Sequence, residues 1–390
     1  MRVAYVTTDP GVPAFGVKGC SVHVQEGMRA LQARGAHVTL FTPRLGGTPP
    51  PELARASVME LPPRSGATTA ARETSSLVRN PATARALRQE GPFDLVYERY
   101  ALWSHAAMAW GRKLGVPTVL EVNSPLIEEQ NTHRGLVNVR GALETSRRAF
   151  AHADVMVAVS DAVANWLDGF PEARGRIHVV PNGVDVERFR PGLMPKEAAP
   201  KGAFVVGFVG SLKPWHGLAT LAEAFARLHQ LAPDVHLLIV GEGPERESLQ
   251  ADLERLGVAD AATLTGAVAP VDVPRWMAAM DVAVAPYTDA TGCYFSPLKV
   301  FEAMAAGIPV VASRAGQVAD VIEDGATGRL VPPGDAVALA DALDALRRDP
   351  PASGTLAAAA RQLVVRHHTW LAVFGQVLEL AGLHQPSEVA

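Results

Sequence analysis

At 390 residues the chain is too long for one ordinary core, and two domains are the expectation. Its 48% hydrophobic and 19% charged content excludes an intrinsically disordered chain, and a net charge of −4 gives no global basic field for nucleic acid. The two cysteines, Cys20 and Cys293, have no metal-ligand spacing and fit a reducing cytosol, while the abundance of Arg, Ala and Pro points to a GC-rich bacterial genome.

Met1–Thr7 reads as a strand, far too short for an apolar signal core, and no run of about 18 apolar residues would span a membrane. The expected location is therefore the cytoplasm. Arg2–Thr7 leads into a glycine-bearing loop, Phe15-Gly16-Val17-Lys18-Gly19-Cys20-Ser21, then a helix from about Val22 to Ala33 and a strand at His37–Phe41. That is a βαβ unit whose loop sits at the carboxyl end of the first strand, where open parallel sheets hold ligands. The spacing is not G-x-G-x-x-G, so a dinucleotide fingerprint is absent.

Pro43–Pro63 reads as loop, and Arg72–Arg88, with Arg79 and Arg85 between, as a solvated helix face; contact with an anionic membrane surface is its alternative. Asp94–Tyr97 is a strand with Glu98, Arg99 and Tyr100 at its carboxyl end. Glu98 and Arg99 read equally as functional groups and as an ion pair holding the sheet edge. Helix Leu102–Leu114, strand Pro117–Val122, helix Gly141–His152, strand Asp154–Val159 and strand Ile177–Val180 follow, closing on the turn Pro181-Asn182-Gly183-Val184-Asp185.

Pro191–Gly202 reads as a linker. The pattern then restarts: strand Phe204–Val209, loop Gly210–Gly217, helix Leu218–Leu231, strand Val235–Val240, Gly241-Glu242-Gly243-Pro244 opening the next helix, and strands at Ala262–Leu264, Val282–Ala285 and Ile308–Ala312. The expected organisation is an N-terminal Rossmann-like domain over 1–190, a linker over 191–202, a C-terminal Rossmann-like domain over 203–365, and a C-terminal helix over 366–390 that can pack back on the first domain. Two parallel α/β sheets facing across a cleft would give a ligand site between them.

The stretch around which the second half is organised runs from Phe295 to Gly307. Ser296 is placed to cap and Pro297 to open a helix, with Leu298, Phe301, Met304 and Ala305 on its buried face and Gly307 ending it. A helix start attracts a diphosphate, Lys299 adds a cation, and Glu302 lies where a carboxylate would accept hydrogen bonds from a ribose diol. Together those requirements describe a nucleotide.

These pieces, with Val180–Asp185, Phe208–Leu212, Leu238–Pro244 and Asp281–Pro286 in this order and spacing, resemble the retaining GT-B glycosyltransferases of family 4. The resemblance implies that the first half binds an acceptor and the second a nucleotide-diphospho-sugar, most often a UDP-sugar. Glu302 would hold the ribose, and the N–H groups around Pro297, Leu298 and Lys299 the diphosphate. Lys213 or His216 would add positive charge, Gly241 and Glu242 would line the nucleotide pocket, and Gly16 and Gly19 would let the first loop approach closely.

Three positions depart from the family pattern. Tyr294 replaces the first glutamate of the usual pair and, with Phe295, would face the donor sugar; Ser211 and His216 replace the usual Arg and Lys; and Asn123 stands where a His is common. A subgroup marked by Ser-Pro-Leu-Lys and Glu-Ala-Met-Ala accounts for all three. The expected reaction is front-face transfer, with Asn123 positioning a hydroxyl and Lys213 and Lys299 stabilising the leaving diphosphate. No cofactor and no metal are expected beyond the nucleotide-sugar co-substrate. The acceptor is a glycan, a lipid-linked sugar or a small metabolite. A sugar-nucleotide 2-epimerase of the same fold and a catalytically silent sugar-nucleotide-binding subunit are the alternatives.

Overall fold

The computed structural model describes residues 1–133, 135–288, 294 and 296–383. The chain forms two compact units: Met1–Pro181 together with the segment from Trp370 onward, and Asn182–Thr369.

The first unit contains β1 (Arg2–Thr7), β2 (His37–Thr42), β3 (Ser57–Glu60), β4 (Leu95–Arg99), β5 (Thr118–Val122), β6 (Val155–Ala158) and β7 (Ile177–Val179). They form one parallel sheet in the order β3-β2-β1-β4-β5-β6-β7. The second unit contains β8 (Phe204–Val209), β9 (Val235–Val240), β10 (Ala262–Leu264), β11 (Val282–Ala285), β12 (Val310–Ser313) and β13 (Arg329–Val331). Their order is β10-β9-β8-β11-β12-β13, again parallel. Near-continuous apolar runs such as Val235–Val240, buried along their whole length, suit strands covered by helices on both faces. In each sheet the order reverses beside the first strand, so the loops after β1 and β8 open at a switch point, where such sheets hold ligands.

The expected α/β class, two parallel sheets, is the observed one. Four local expectations are corrected. The Pro43–Pro63 region contains β3, paired with β2 although largely exposed. The helix expected from Leu102 starts at Ala106, because Asn80 Oδ1 accepts from the His105 and Ala106 N–H groups at 3.0 and 3.1 Å and so fixes its first turn. Pro191–Gly202 lies within the second unit: Ala198 is buried in its core, and a Cβ on Gly307 would come within 3.0 Å of Pro191 Cγ. The helix over Arg72–Arg88 is two helices, Thr69–Leu77 and Asn80–Glu90, with Arg79 buried between them.

Helix Trp370–Leu380 packs in the first unit. Trp370 stands edge-on to His23 (centroids 4.9 Å apart), and Phe374 lies against Tyr97 at 5.3 Å. Arg34 ties it further through Nη2 to the Leu371 carbonyl at 2.8 Å.

Candidate functional site

In the second unit the loops after β8 and β9 are interlocked. Gly210 N–H donates to Val240 O at 2.9 Å and Leu212 N–H to Glu242 O at 3.1 Å. Gly210 and Gly241 have φ of 142° and 145°, and a Cβ on Gly241 would collide with the Gly210 carbonyl oxygen. Glycine is therefore needed at 241 for the close approach of two backbones at the carboxyl edge of the sheet.

Lys299 rises into this edge from helix Leu298–Ala305. Its Nζ is shielded from solvent and makes no hydrogen bond among the described residues; it lies 4.2 Å over the Phe208 ring and 5.5 Å from that of Tyr287. Burial pulls its pKa down to about 7, with the Glu302 carboxylate opposing the shift. Lys213, half-buried in the same loop, has its Nζ 6.0 Å from the Trp215 ring.

His216 does not carry the positive charge expected of it. Burial, followed by the charge of Lys299, holds its pKa down at about 3. Its Nδ1–H donates to Ser211 O at 2.5 Å, which leaves Nε2 as an acceptor. Ser211 itself is exposed.

Ser296 does not cap the helix. Its Oγ accepts from Asn182 N–H at 3.2 Å, Pro297 occupies the cap position, and the helix begins at Leu298. The N–H groups of Leu298, Val300 and Phe301 are engaged with the Ser296 and Pro297 carbonyls. Fewer free N–H groups than expected are therefore left at this helix start. Glu302 is half-buried one turn further in and Tyr294 is half-buried ahead of the helix; Phe295 lies outside the described residues. Glu242 accepts from Gly243 N–H at 3.0 Å and from Arg246 at 3.2 Å.

In the first unit, Glu121 of β5 is buried against His23 Nε2 at 2.6 Å and Arg99 Nη1 at 3.4 Å. Burial alone would raise its pKa. His23, Arg99 and the Asn123 amide outweigh that and hold it at about 2. Asn123 stands just past the strand with Nδ2 buried, within reach of the Glu121 carboxylate whose pKa it lowers but outside strict hydrogen-bond geometry among the described residues.

Arg99 thus pairs with Glu121 and not with its neighbour Glu98. Glu98, 0% exposed, accepts from Ser104 Oγ and leaves Oε2 unpartnered. Sequence reasoning left Glu121 unassigned, although a lone glutamate in the apolar strand Thr118–Val122 is itself a sign of a buried, paired charge. Gly16 is needed for packing, since a Cβ there would meet Pro13 at 2.7 Å and Ser21 Oγ at 3.0 Å. Gly19 is exposed and opens helix Gly19–Ala33 with nothing within 4 Å of a built Cβ.

Residues 17–188 match the model of Glycosyltransferase Family 4, and residues 203–349 that of Glycosyl transferases group 1. A D-inositol 3-phosphate glycosyltransferase of Stackebrandtia nassauensis is 30% identical over 93% of this chain and 85% of its own. One from Catenulispora acidiphila is 32% identical over 87% and 84%. The chain belongs to glycosyltransferase family 4. The enzyme's fold is GT-B: sucrose-phosphate synthase from Thermosynechococcus elongatus aligns over 97% of this chain and 98% of its own, at TM-score 0.72 and 23% identity. The Anabaena protein HepE in complex with UDP aligns over 98% and 100%, at TM-score 0.71 and 21% identity. Among the described residues no cluster of His, Cys, Asp or Glu has metal-ligand geometry, and no helix is long and apolar enough to cross a membrane.

Proposed function

We propose that this glycosyltransferase is a retaining enzyme that moves a sugar from a nucleotide-diphospho-sugar, a UDP-sugar, to a hydroxyl of a sugar or polyol acceptor. The observation that carries the reading is the solvent-shielded Lys299 amine, without a hydrogen bond among the described residues, beside the Gly210–Gly241 edge, with Glu302 one turn away. HepE in complex with UDP and with UDP-glucose, on a similar fold, supports a uridine donor.

In this reading Lys299 and Lys213 neutralise the diphosphate, Glu302 takes the ribose hydroxyls, and Gly241 and Glu242 border the nucleotide. Ser211 and the acceptor Nε2 of His216 contribute hydrogen bonds, not charge. Tyr294 packs by the donor sugar. Asn123 Nδ2 donates to a sugar hydroxyl from the first unit, and the Glu121, His23 and Arg99 network fixes the backbone that presents it. The C1–O bond to the diphosphate breaks as the acceptor oxygen bonds to C1 on the same face. The acceptor proton passes to the departing phosphate oxygen. The protein's contribution is then charge stabilisation and positioning.

The test is to incubate the enzyme with UDP-glucose, UDP-galactose and UDP-N-acetylglucosamine, each with a panel of sugar and polyol acceptors. Product configuration is read from the anomeric proton coupling. Release of UDP with a product of the donor's α-configuration supports the reading; a β-product overturns retention.

A further inference from the structure

The first unit holds a cavity at the carboxyl ends of β1 and β4 whose lining includes none of Asn123, Glu121, His23 and Arg99. Its volume is about 300 Å³, at the low end for small-molecule sites and large enough for a monosaccharide-sized ligand. The loop after β1, helix Thr69–Leu77 and the loop after β4 supply its walls. Three guanidinium groups line it: Arg64, Arg72 and Arg79.

Arg79 is the unusual one. It is 5% exposed. Its Nε donates to Pro62 O at 2.7 Å and Nη1 to Thr8 O at 3.0 Å, but Nη2 is buried with no partner. Thr8 Oγ1, on the same wall, is also buried and unpartnered. Among the described residues none of the three arginines forms an ion pair with a carboxylate.

The carboxylates in the cavity make no ion pair with these arginines among the described residues, although the charge of Asp9 reaches Arg79 and partly offsets its burial. Both oxygens of Glu73 accept from backbone N–H groups, Val137 at 3.0 Å and Asn138 at 2.8 Å, and Asp9 Oδ1 accepts from Gly11 N–H at 2.7 Å. A buried guanidinium is costly unless an anion completes it. Arg72 spends Nη1 and Nη2 only on weak local contacts, Ala67 O at 3.3 Å and Thr69 Oγ1 at 3.2 Å, and Arg64 is exposed at the mouth. Arg79 Nη2 is thus one open donor of a guanidinium fixed by two backbone carbonyls, and two more cations, Arg64 and Arg72, stand on the same cavity wall to add charge for an oxyanion.

We propose that this cavity anchors an oxyanion, a phosphate monoester or a carboxylate, and that the acceptor is a small sugar or polyol carrying one. The second clause rests on the glycosyltransferase reading; the anion site itself does not.

The experiment measures binding of glucose, glucose 6-phosphate, glucuronate and inorganic phosphate by titration calorimetry. The proteins are wild type, the Arg64→Gln/Arg72→Gln double variant, and Lys299→Met, which removes the cation of the other candidate anion site. A UDP thermal shift on each protein reports the donor site and the fold. Arg79 is left intact because it holds two loops together.

The expected result is that the anionic probes bind wild type and Lys299→Met at least tenfold more tightly than glucose, and lose at least tenfold in the double variant while its UDP shift persists. Glucose 6-phosphate against glucuronate tells phosphate from carboxylate. Anion binding unchanged in the double variant, or lost only in Lys299→Met, overturns the proposal. So does the absence of binding by every anionic probe. If the anions bind as expected but UDP shifts no protein, the donor reading fails and the anion site stands.

Discussion

Lys299 and Glu98 show what burial does to single ionisable groups. Lys299 is pulled down to about 7, so near neutrality part of the population is uncharged before any ligand binds. A diphosphate favours the charged amine. Binding of UDP at pH 8 is therefore expected to take up a proton, seen as a buffer-dependent heat in calorimetry. Affinity falls as pH rises through 7, up to about tenfold per unit. Lys299→Met should lower UDP affinity by roughly 10- to 100-fold, the scale of a hydrogen bond to a charged group, and abolish the proton uptake. Uptake that persists in the variant would show that another group titrates. Glu98 shifts the other way, raised to about 7 by burial despite the Ser104 hydrogen bond. Its folded-state pKa lies above its unfolded value of about 4.3, so its stabilising contribution is full below that value and is lost as pH rises through 7. Melting temperature between pH 5 and pH 8 should thus fall more for wild type than for Glu98→Gln. Parallel curves would contradict the burial argument.

At the scale of elements, two glycines in one helix separate packing from approach. In helix Gly19–Ala33, a Cβ on Gly27 would meet Phe374 at 2.7 Å and the Tyr5 hydroxyl at 2.9 Å, whereas one on Gly19 meets nothing. Gly27→Ala should destabilise the first unit by roughly 1–3 kcal/mol through overpacking against helix Trp370–Leu380. Gly19→Ala should leave the melt unchanged or raise it slightly, since alanine favours a helix. Chemical denaturation of both variants reads the difference, and equal destabilisation would mean the C-terminal helix is not seated as described. This scale also shows where the sequence was legible. The alternation of apolar runs with amphipathic stretches revealed the central strands of both sheets because those strands are buried along most of their length. β3 escaped because Ser57–Glu60 is an edge strand, largely exposed, in a proline-rich stretch. The helix start at Ser296 was misread because its hydroxyl has a distant partner, Asn182, that local spacing cannot reveal.

For the whole molecule, the repeated α/β pattern and the ordered motifs made the GT-B fold readable, because each motif is local. The first unit was far less readable, since its networks join residues distant in sequence. His23 meets Glu121, and Arg79 meets Thr8, only after the sheet is assembled. An arginine-rich helical stretch gives no sign of which guanidinium will be buried, so Arg79 was taken for a solvated group. With His216 neutral and Ser211 uncharged, the proposed donor site would draw its positive charge from Lys299 and Lys213. A nucleotide that binds only the folded state at about 100 times its dissociation constant should stabilise it by roughly 2.7 kcal/mol. The most direct test is therefore a thermal-shift series of UDP, GDP, ADP and dTDP on wild type and Glu302→Ala. UDP is expected to shift the wild type, with the shift lost or sharply reduced in the variant. A UDP shift of equal size in both proteins, or no shift with any of the four nucleotides, would contradict it.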